Sequence, residues 1–285
     1  MQSKLILWVK IIRPGTLAAA ISPVLIGLMV ASKSMSINWL VASTTLLAAT
    51  TIQIASNLIN DYYDYKKGLD KAGRLGPRRA LAEGQVTIRT MSIAIIIDLL
   101  ITIACGLYLV YVGGFPILLI GLTAILFAWL YTATSYSLSY LGIADIFVLI
   151  YFGPVATVGT TYLQAGTFST ESLLLGLACG FISMAVLTVN NLRDRESDSK
   201  AGKRSLIVRF GKVFGEIEYL FLYLLIAPCL FFTNSNWIAY GIVLVGILLY
   251  LKLRKTNGRA YNKMLVLTGL SNLVYVILYA IGINL

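Results

Sequence analysis

Residues 37–70 read INWLVASTTLLAATTIQIASNLINDYYDYKKGLD, an apolar run that ends in a group of acidic and amide side chains. The apolar part is long enough to cross a lipid bilayer, because a transmembrane helix needs about 20 mainly apolar residues. The polar part places Asn60, Asp61, Asp64 and Asp70 at the end of that run. This junction predicts a membrane helix whose end carries oxygen atoms suited to binding or chemistry.

The composition extends this prediction to the whole chain. Hydrophobic residues make up 58% of the sequence and charged residues only 12%, whereas soluble domains carry about 25% charged residues. Other apolar runs, such as residues 264–285, are apolar on all sides, while the strands of an outer-membrane barrel would alternate in polarity. The sequence therefore predicts a helical protein that crosses a membrane several times, and it argues against both a soluble globule and a barrel.

We predict an all-α bundle of nine transmembrane helices that forms one integral-membrane domain over residues 1–285. The apolar cores lie at roughly 15–32, 37–59, 91–112, 115–131, 141–163, 172–191, 217–233, 237–251 and 264–283. Two polar loops, at about 60–90 and 192–216, carry the motifs described below.

The basic residues predict the orientation of this bundle in the cell membrane. Of the 23 lysines and arginines, all except Lys33 fall on one side of the predicted bundle. Because cytoplasmic loops carry an excess of such residues, the N-terminus and both motif loops are expected to face the cytoplasm. The net charge of +11 is then a topology signal, and it does not indicate a nucleic-acid partner.

A second acidic segment, NNLRDRESDSKAGK, begins at Asn190. At a spacing of four residues, Asn190, Asp194 and Asp198 share one face of a helix, as do Asn60 and Asp64. The chain contains no histidine, and its cysteines lie in apolar runs without metal-ligand spacing. Any chemistry must therefore use carboxylates, amides, hydroxyls, basic groups or a metal ion.

Carboxylate and amide oxygens suit Mg²⁺, which commonly binds one or two carboxylates together with phosphate oxygens and water. Basic side chains next to the motifs can neutralise the remaining phosphate charge: Lys67, Arg78, Arg79, Lys203 and Arg204. A diphosphate site beside a membrane bundle indicates a substrate with a long apolar tail, such as a polyprenyl diphosphate. Aromatic residues, Tyr131 among them, could stabilise the carbocation that such a substrate forms.

Other interpretations of the acidic residues stay open at this point. Each motif alone could be a solvated, salt-bridged helix end, and an ion-coupled transporter would also use membrane acids, although at the midplane of the bilayer. Asp98 and Asp145 lie inside apolar runs, where an ionisable group is a functional hypothesis by default. Asp145 could help to deprotonate an acceptor or could make a structural hydrogen bond.

At these motifs the sequence resembles the UbiA superfamily of intramembrane aromatic prenyltransferases, and the resemblance extends over nearly the whole chain. The family pattern is Asn-Asp-x-x-Asp-x-x-x-Asp after the second helix and Asp-x-x-x-Asp after the sixth, in a bundle of nine helices. Asn60, Asp61 and Asp64 match the first motif, and Asn190, Asp194 and Asp198 match the second. Gly68 stands where the third acid of the first motif is expected, so the next acid is Asp70.

Within the superfamily, the chain most resembles the 1,4-dihydroxy-2-naphthoate polyprenyltransferases. The shared features are the delayed Asp70, Arg-Pro-x-Thr-Leu at residues 13–17, Gly-Pro with basic residues at 76–79, and Gly-Lys-Arg-Ser-Leu at 202–206. The segment 131–140 also lacks the basic residues typical of 4-hydroxybenzoate enzymes. Asp145 replaces the glutamate that is usual in this branch.

The resemblance implies transfer of a polyprenyl group to 1,4-dihydroxy-2-naphthoate, with loss of diphosphate and CO₂, to give demethylmenaquinone. It also implies that Mg²⁺ is bound by Asp61, Asp64, Asp194, Asp198 and Asp70, with Asn60 and Asn190 orienting them. Contacts to the diphosphate or to the acceptor carboxylate are expected from Arg78, Arg79, Lys203 and Arg204. Another acceptor, namely 4-hydroxybenzoate, homogentisate or a lipid alcohol, is the alternative.

Overall fold

The computed structural model describes residues 4–68, 75–76, 79–130 and 142–284, and within these ranges it contains helices and no strands. The α-helices are α1 (Lys4–Ile12), α2 (Pro14–Ser32), α3 (Trp39–Lys66), α4 (Ile88–Leu130), α5 (Ala144–Ile150), α6 (Ala156–Ala165), α7 (Thr170–Lys200), α8 (Leu206–Leu224), α9 (Ile226–Phe232), α10 (Gly241–Leu253) and α11 (Tyr261–Ile283). A π-helical turn, Tyr151–Val155, joins α5 to α6, and short 3₁₀ turns precede α10 and α11.

The predicted all-α membrane architecture is confirmed by the length and apolarity of these elements. Seven helical stretches in the described part of the chain could each cross a membrane: Pro14–Ser32, Trp39–Lys66, Ile88–Leu130, Ala144–Ala165, Thr170–Lys200, Leu206–Phe232 and Gly258–Ile283. The apolar stretch Trp237–Leu253 is shorter. The count of nine crossings stays a prediction.

Helix α4 is 43 residues long and contains the predicted crossing at 91–112 and residues 115–130 of the crossing predicted at 115–131. Its backbone departs from helical geometry at Gly114, where φ is 67° and ψ is −152°. A positive φ of this kind is accessible to glycine at little cost, because glycine has no Cβ. Pro116 lies two residues further on and lacks the backbone N–H group that a continuous helix would use as a hydrogen-bond donor. The helix therefore changes direction at the point where the sequence pattern predicts a gap.

Both motif-bearing helices extend further than the apolar pattern suggests. Helix α3 begins after Asn38, whose side chain accepts hydrogen bonds from the backbone N–H groups of Leu40 and Val41 at 3.1 and 3.2 Å, and it continues to Lys66. Helix α7 continues to Lys200. The first residues of the expected loops at 60–90 and 192–216 are thus helical, because their side chains have basic partners that allow the polar helix ends to persist.

The largest buried cluster joins α2 and α7 to the C-terminal helices α8 to α11. Buried tyrosines fix their mutual positions, since the Tyr219 hydroxyl lies 3.0 Å from Thr268 Oγ1 and the Tyr223 hydroxyl lies 2.6 Å from Ser271 Oγ. Glycine permits close approach of helices in this bundle. A Cβ atom at Gly180 would lie only 2.3 Å from the carbonyl oxygen of Leu149. This packing sets α5 directly against α7.

Candidate active site

The first motif occupies the last turns of α3, where Asp61 and Asp64 are buried. The guanidinium group of Arg79, itself buried, joins the two carboxylates: its Nε lies 3.3 Å from Asp61 Oδ1, and its Nη1 lies 2.7 Å from Asp64 Oδ2. The same Nη1 also donates a hydrogen bond to the backbone carbonyl of Asn60 at 3.2 Å. Arg79 therefore holds the motif from the segment that precedes α4.

Arg13 is a further partner of this motif that the sequence analysis did not place in the site. Its guanidinium donates a hydrogen bond to Asp61 from the junction between α1 and α2. The Asn57 amide fixes this junction, because Nδ2 donates to the carbonyl of Ile12 at 3.0 Å and to Thr16 Oγ1 at 2.9 Å. Asn57 lies one helical turn before Asp61 and therefore on the same face of α3. This spacing was the sequence feature that could have assigned Asn57 to the site.

The second motif occupies the last turns of α7, where Arg193 links two of its members. Arg193 Nη2 donates to Asn190 Oδ1 at 2.7 Å, and Nε and Nη2 donate to the Asp194 carboxylate at 2.8 and 2.5 Å. One turn further on, Lys203 Nζ lies 2.8 Å from Asp198 Oδ1. From the sequence, Arg193 is one of the basic residues expected on the cytoplasmic side, and its contacts with Asn190 and Asp194 were not predicted.

The two motifs face each other across one cavity. Its walls include Asn60, Asp61 and Asp64 from α3, and Asn190, Asp194 and Asp198 from α7. Asp64 is close enough to Asp198 for an electrostatic interaction. The ammonium group of Lys67, directly after α3, interacts with charged residues next to both motifs. Burial lowers its pKa, the Asp64 carboxylate raises it, and the Lys203 ammonium group lowers it further. The structure thus brings carboxylates of both motifs to a single place.

The cavity has a volume of about 1900 Å³, larger than the ~300–1,000 Å³ typical of small-molecule pockets. Away from the motifs its walls are mostly apolar and include Ile52, Val110, Ile125 and Val155. Such a cavity can accommodate a long hydrocarbon chain along its apolar walls. The charged head group of the same molecule would then lie next to the two motifs.

The remaining residues predicted for the site differ in whether they line the cavity. Arg204 is exposed and is not among the residues that line the cavity. Asp145 is buried and does line it, whereas Asp98 is buried on α4 outside the cavity wall. The predicted roles of Asp70, Arg78 and Tyr131 lie outside the described residues.

The donor atoms of the site fit Mg²⁺ when it arrives with a diphosphate. Among the described residues no three acidic, histidine or cysteine side chains lie close enough to form a metal cage by themselves. Mg²⁺ does not require such a cage, because phosphate oxygens and water usually complete its shell. The side-chain oxygen of Asn60 is buried and has no hydrogen-bond partner in the described part of the chain, so it can accept a hydrogen bond from a metal-bound water.

A family model described as the UbiA prenyltransferase family matches residues 20–281. The chain belongs to this family. It is 39% identical over 214 residues to the 1,4-dihydroxy-2-naphthoate octaprenyltransferase of Escherichia coli (strain K12), covering 72% of this chain and 69% of that protein. It is 32% identical over 285 residues to the protein of the same name from Mycobacterium leprae (strain TN), covering 98% and 96% of the two chains.

Solved structures of UbiA proteins share the same fold. A UbiA homolog from Archaeoglobus fulgidus bound to GPP and Mg²⁺ superposes with a TM-score of 0.66 at 17% sequence identity. The match covers 98% of this chain and 100% of the other. This UbiA family member therefore has the same helical fold as that solved relative.

Proposed function

We propose that this chain transfers a polyprenyl group from a polyprenyl diphosphate to 1,4-dihydroxy-2-naphthoate, with release of diphosphate and CO₂, to give demethylmenaquinone. The observation that carries the proposal is the pairing of two acid and amide motifs at the charged part of a cavity of about 1900 Å³ with otherwise apolar walls. This arrangement matches an anionic head group on a long apolar tail. The octaprenyltransferase names of the bacterial relatives support the choice of acceptor.

The diphosphate would bind between the two motifs. Mg²⁺ would be held, directly or through water, by the carboxylates of both motifs, namely Asp61, Asp64, Asp194 and Asp198. The bound metal would neutralise negative charge on the departing diphosphate. Arg79, which already spans two of these carboxylates, and Lys203, which pairs with Asp198, can turn toward phosphate oxygens. The A. fulgidus homolog bound to GPP and Mg²⁺ supports this class of donor substrate.

The prenyl cation would form next to an aromatic wall. Phe127 packs against Phe147 and Tyr151, with ring centroids 4.4 and 5.0 Å apart, and all three rings line the cavity. Aromatic faces stabilise cations electrostatically without supplying a nucleophile. The dry apolar surroundings would keep water from capturing the cation before the acceptor ring does.

The protein would act in the cell membrane with its N-terminus and both motifs on the cytoplasmic side. The distribution of lysine and arginine along the sequence supports this orientation, because cytoplasmic loops are enriched in both residues. Labelling of single cysteines introduced at Lys33 and at Lys200 in intact cells tests it. The expected result is labelling from outside at position 33 alone.

An assay with purified protein in liposomes tests the reaction. Polyprenyl diphosphate and Mg²⁺ are supplied with 1,4-dihydroxy-2-naphthoate, 4-hydroxybenzoate or homogentisate in parallel. We expect prenylation of the naphthoate, loss of turnover on chelation of Mg²⁺, and recovery when Mg²⁺ is restored. Transfer to 4-hydroxybenzoate alone would contradict the proposed acceptor.

A further inference from the structure

A further acidic side chain lies in the wall of the cavity, on a helix that carries neither motif. Asp145, in the first turn of α5, is only 3% exposed and lines the cavity. Its Oδ2 atom has no hydrogen-bond partner within the described ranges. Glu218 of α8 is close enough to interact electrostatically with Asp145. A buried carboxylate oxygen without a partner is costly, so it indicates a place where a ligand supplies the missing donor.

The Glu218 carboxyl group is held by α7. Thr188 Oγ1 donates a hydrogen bond to Glu218 Oε2 at 3.1 Å. Glu218 Oε2 thus has a hydrogen-bond donor, whereas Asp145 Oδ2 has none among the described residues.

The packing of α5 against α7 explains why these groups converge. Ala144, the neighbour of Asp145, shares a buried cluster with Leu187, the neighbour of Thr188. Further along the same contact, Ser183 of α7 is also buried at 3% exposure, lines the cavity, and has an Oγ atom without a partner among the described residues. A hydroxyl and a carboxylate, both unsatisfied, thus face the same enclosed space.

The surroundings of Asp145 suit a flat aromatic molecule with polar substituents. Phe147 follows Asp145 on α5, and its ring packs against Phe127 at a centroid distance of 4.4 Å with an interplanar angle of 44°. Aromatic rings pack favourably on such surfaces in offset or tilted arrangements. The wall therefore combines an apolar aromatic surface with one free acceptor oxygen and one free hydroxyl.

We propose that Asp145 binds a ring hydroxyl group of the aromatic acceptor and takes up its proton during prenyl transfer. This inference rests on the proposed function. Asp145 is the catalytic residue in this scheme, since it contacts the substrate, and Ser183 supplies a hydrogen bond to the second polar substituent.

The proposed step conserves atoms and electrons. A C–C bond forms between the prenyl cation and the ring carbon that carries the carboxylate, while the adjacent hydroxyl proton passes to Asp145 and leaves a ring carbonyl. The bond between the ring carbon and the carboxylate then breaks, and CO₂ departs. The electron pair of that bond forms a ring double bond, so the ring becomes aromatic again and the former carbonyl oxygen carries a negative charge. The proton returns from Asp145 to that oxygen, which yields the prenylated dihydroxynaphthalene.

The test compares Asp145→Asn and Asp145→Glu with Asp98→Asn, the matched control at a buried acid outside the cavity wall. Turnover, KM for both substrates, and release of diphosphate without acceptor are measured in liposomes. We expect Asp145→Asn to lower kcat by about 10²-fold or more, the range for a lost general base, with the KM for polyprenyl diphosphate and acceptor-independent diphosphate release unchanged. Asp145→Glu should restore most of kcat, and Asp98→Asn should retain it.

Binding separates a chemical role from a folding defect. The acceptor should bind Asp145→Asn about tenfold more weakly, whereas 2-naphthoate, which lacks the hydroxyls, should bind wild type and variant equally. Equal turnover in Asp145→Asn and wild type would overturn the inference. So would a parallel loss of affinity for both ring compounds. Failure of the proposed function is a different result, because wild-type protein would then not prenylate the naphthoate at all.

Discussion

Arg193 of the second motif donates a hydrogen bond from Nη1 to Asn262 Oδ1 on α11 at 3.0 Å. The Asn262 amide in turn donates from Nδ2 to the backbone carbonyl of Leu75 at 2.8 Å. Leu75 belongs to the segment between α3 and α4, which also contributes Arg79 to the first motif. A single side-chain amide therefore connects the arginine that holds the second motif to the segment that holds the first.

Replacement of Asn262 by alanine should impair substrate binding through this connection. The change removes one hydrogen bond to a charged group and one to the backbone, so kcat/KM for polyprenyl diphosphate should fall about tenfold. Steady-state kinetics at varied polyprenyl diphosphate measure the loss. Asn284→Ala, directly after the end of the same helix, removes only an exposed amide bonded to Ala280 and should match wild type, and an equal effect of both changes would contradict the connection.

Arg79 should be needed for stability as well as for activity. Arg79→Ala leaves the buried carboxylates of Asp61 and Asp64 without the group that joins them, a loss of about 3–5 kcal/mol for a broken buried pair. Thermal unfolding in detergent should show a lower Tm together with loss of turnover. The control is Arg89→Ala, an exposed arginine at the start of α4, and a normal Tm for Arg79→Ala would refute the bridging role.

Lys203 and Arg204 are neighbours in sequence but should differ in effect. Lys203 pairs with Asp198 at 2.8 Å and lines the cavity, whereas the Arg204 side chain is exposed. Lys203→Ala should raise the KM for polyprenyl diphosphate about tenfold, because a charge-assisted contact is lost. Arg204→Ala should leave it unchanged. Steady-state kinetics at varied polyprenyl diphosphate measure both KM values. A raised KM for Arg204→Ala with an unchanged KM for Lys203→Ala would contradict the placement of these two side chains in the site.

Gly114 should be the position in α4 that tolerates substitution least for backbone reasons. Its φ of 67° lies in the left-handed region, so Gly114→Ala should destabilise the protein by about 1–2 kcal/mol. Gly106→Ala, in the same helix, adds a Cβ that would meet open space, so it should be neutral or slightly stabilising. Thermal unfolding of the two variants measures the difference, and equal Tm values would argue for an unbroken helix.

Local patterns in the sequence predicted the helices and the acidic motifs. A run of apolar residues requires a membrane-spanning helix because backbone groups must be satisfied internally. The four-residue spacing of Asp194 and Asp198 then puts both on one helix face whatever the rest of the chain does. The break at Gly114 could also be read from the Gly-Gly-Phe-Pro sequence.

The partners of those acids could not be predicted from local patterns. Arg13 reaches Asp61 across 48 residues of sequence, and Asn262 reaches Leu75 across 187. Such contacts depend on which helices become neighbours in the bundle, and sequence periodicity does not specify this. Glu218 was overlooked because its pairing with Thr188 also depends on the packing of α7 against α8.

The fate of the acceptor carboxylate tests the central claim most directly. Wild-type protein in liposomes is given polyprenyl diphosphate, Mg²⁺ and 1,4-dihydroxy-2-naphthoate labelled in its carboxyl group, and labelled CO₂ is measured together with the prenylated product. The account predicts equal amounts of CO₂ and product, both lost on omission of Mg²⁺ and in the combined Asp64→Ala and Asp194→Ala variant. Product that keeps the label, or turnover that survives in the combined variant, would contradict it.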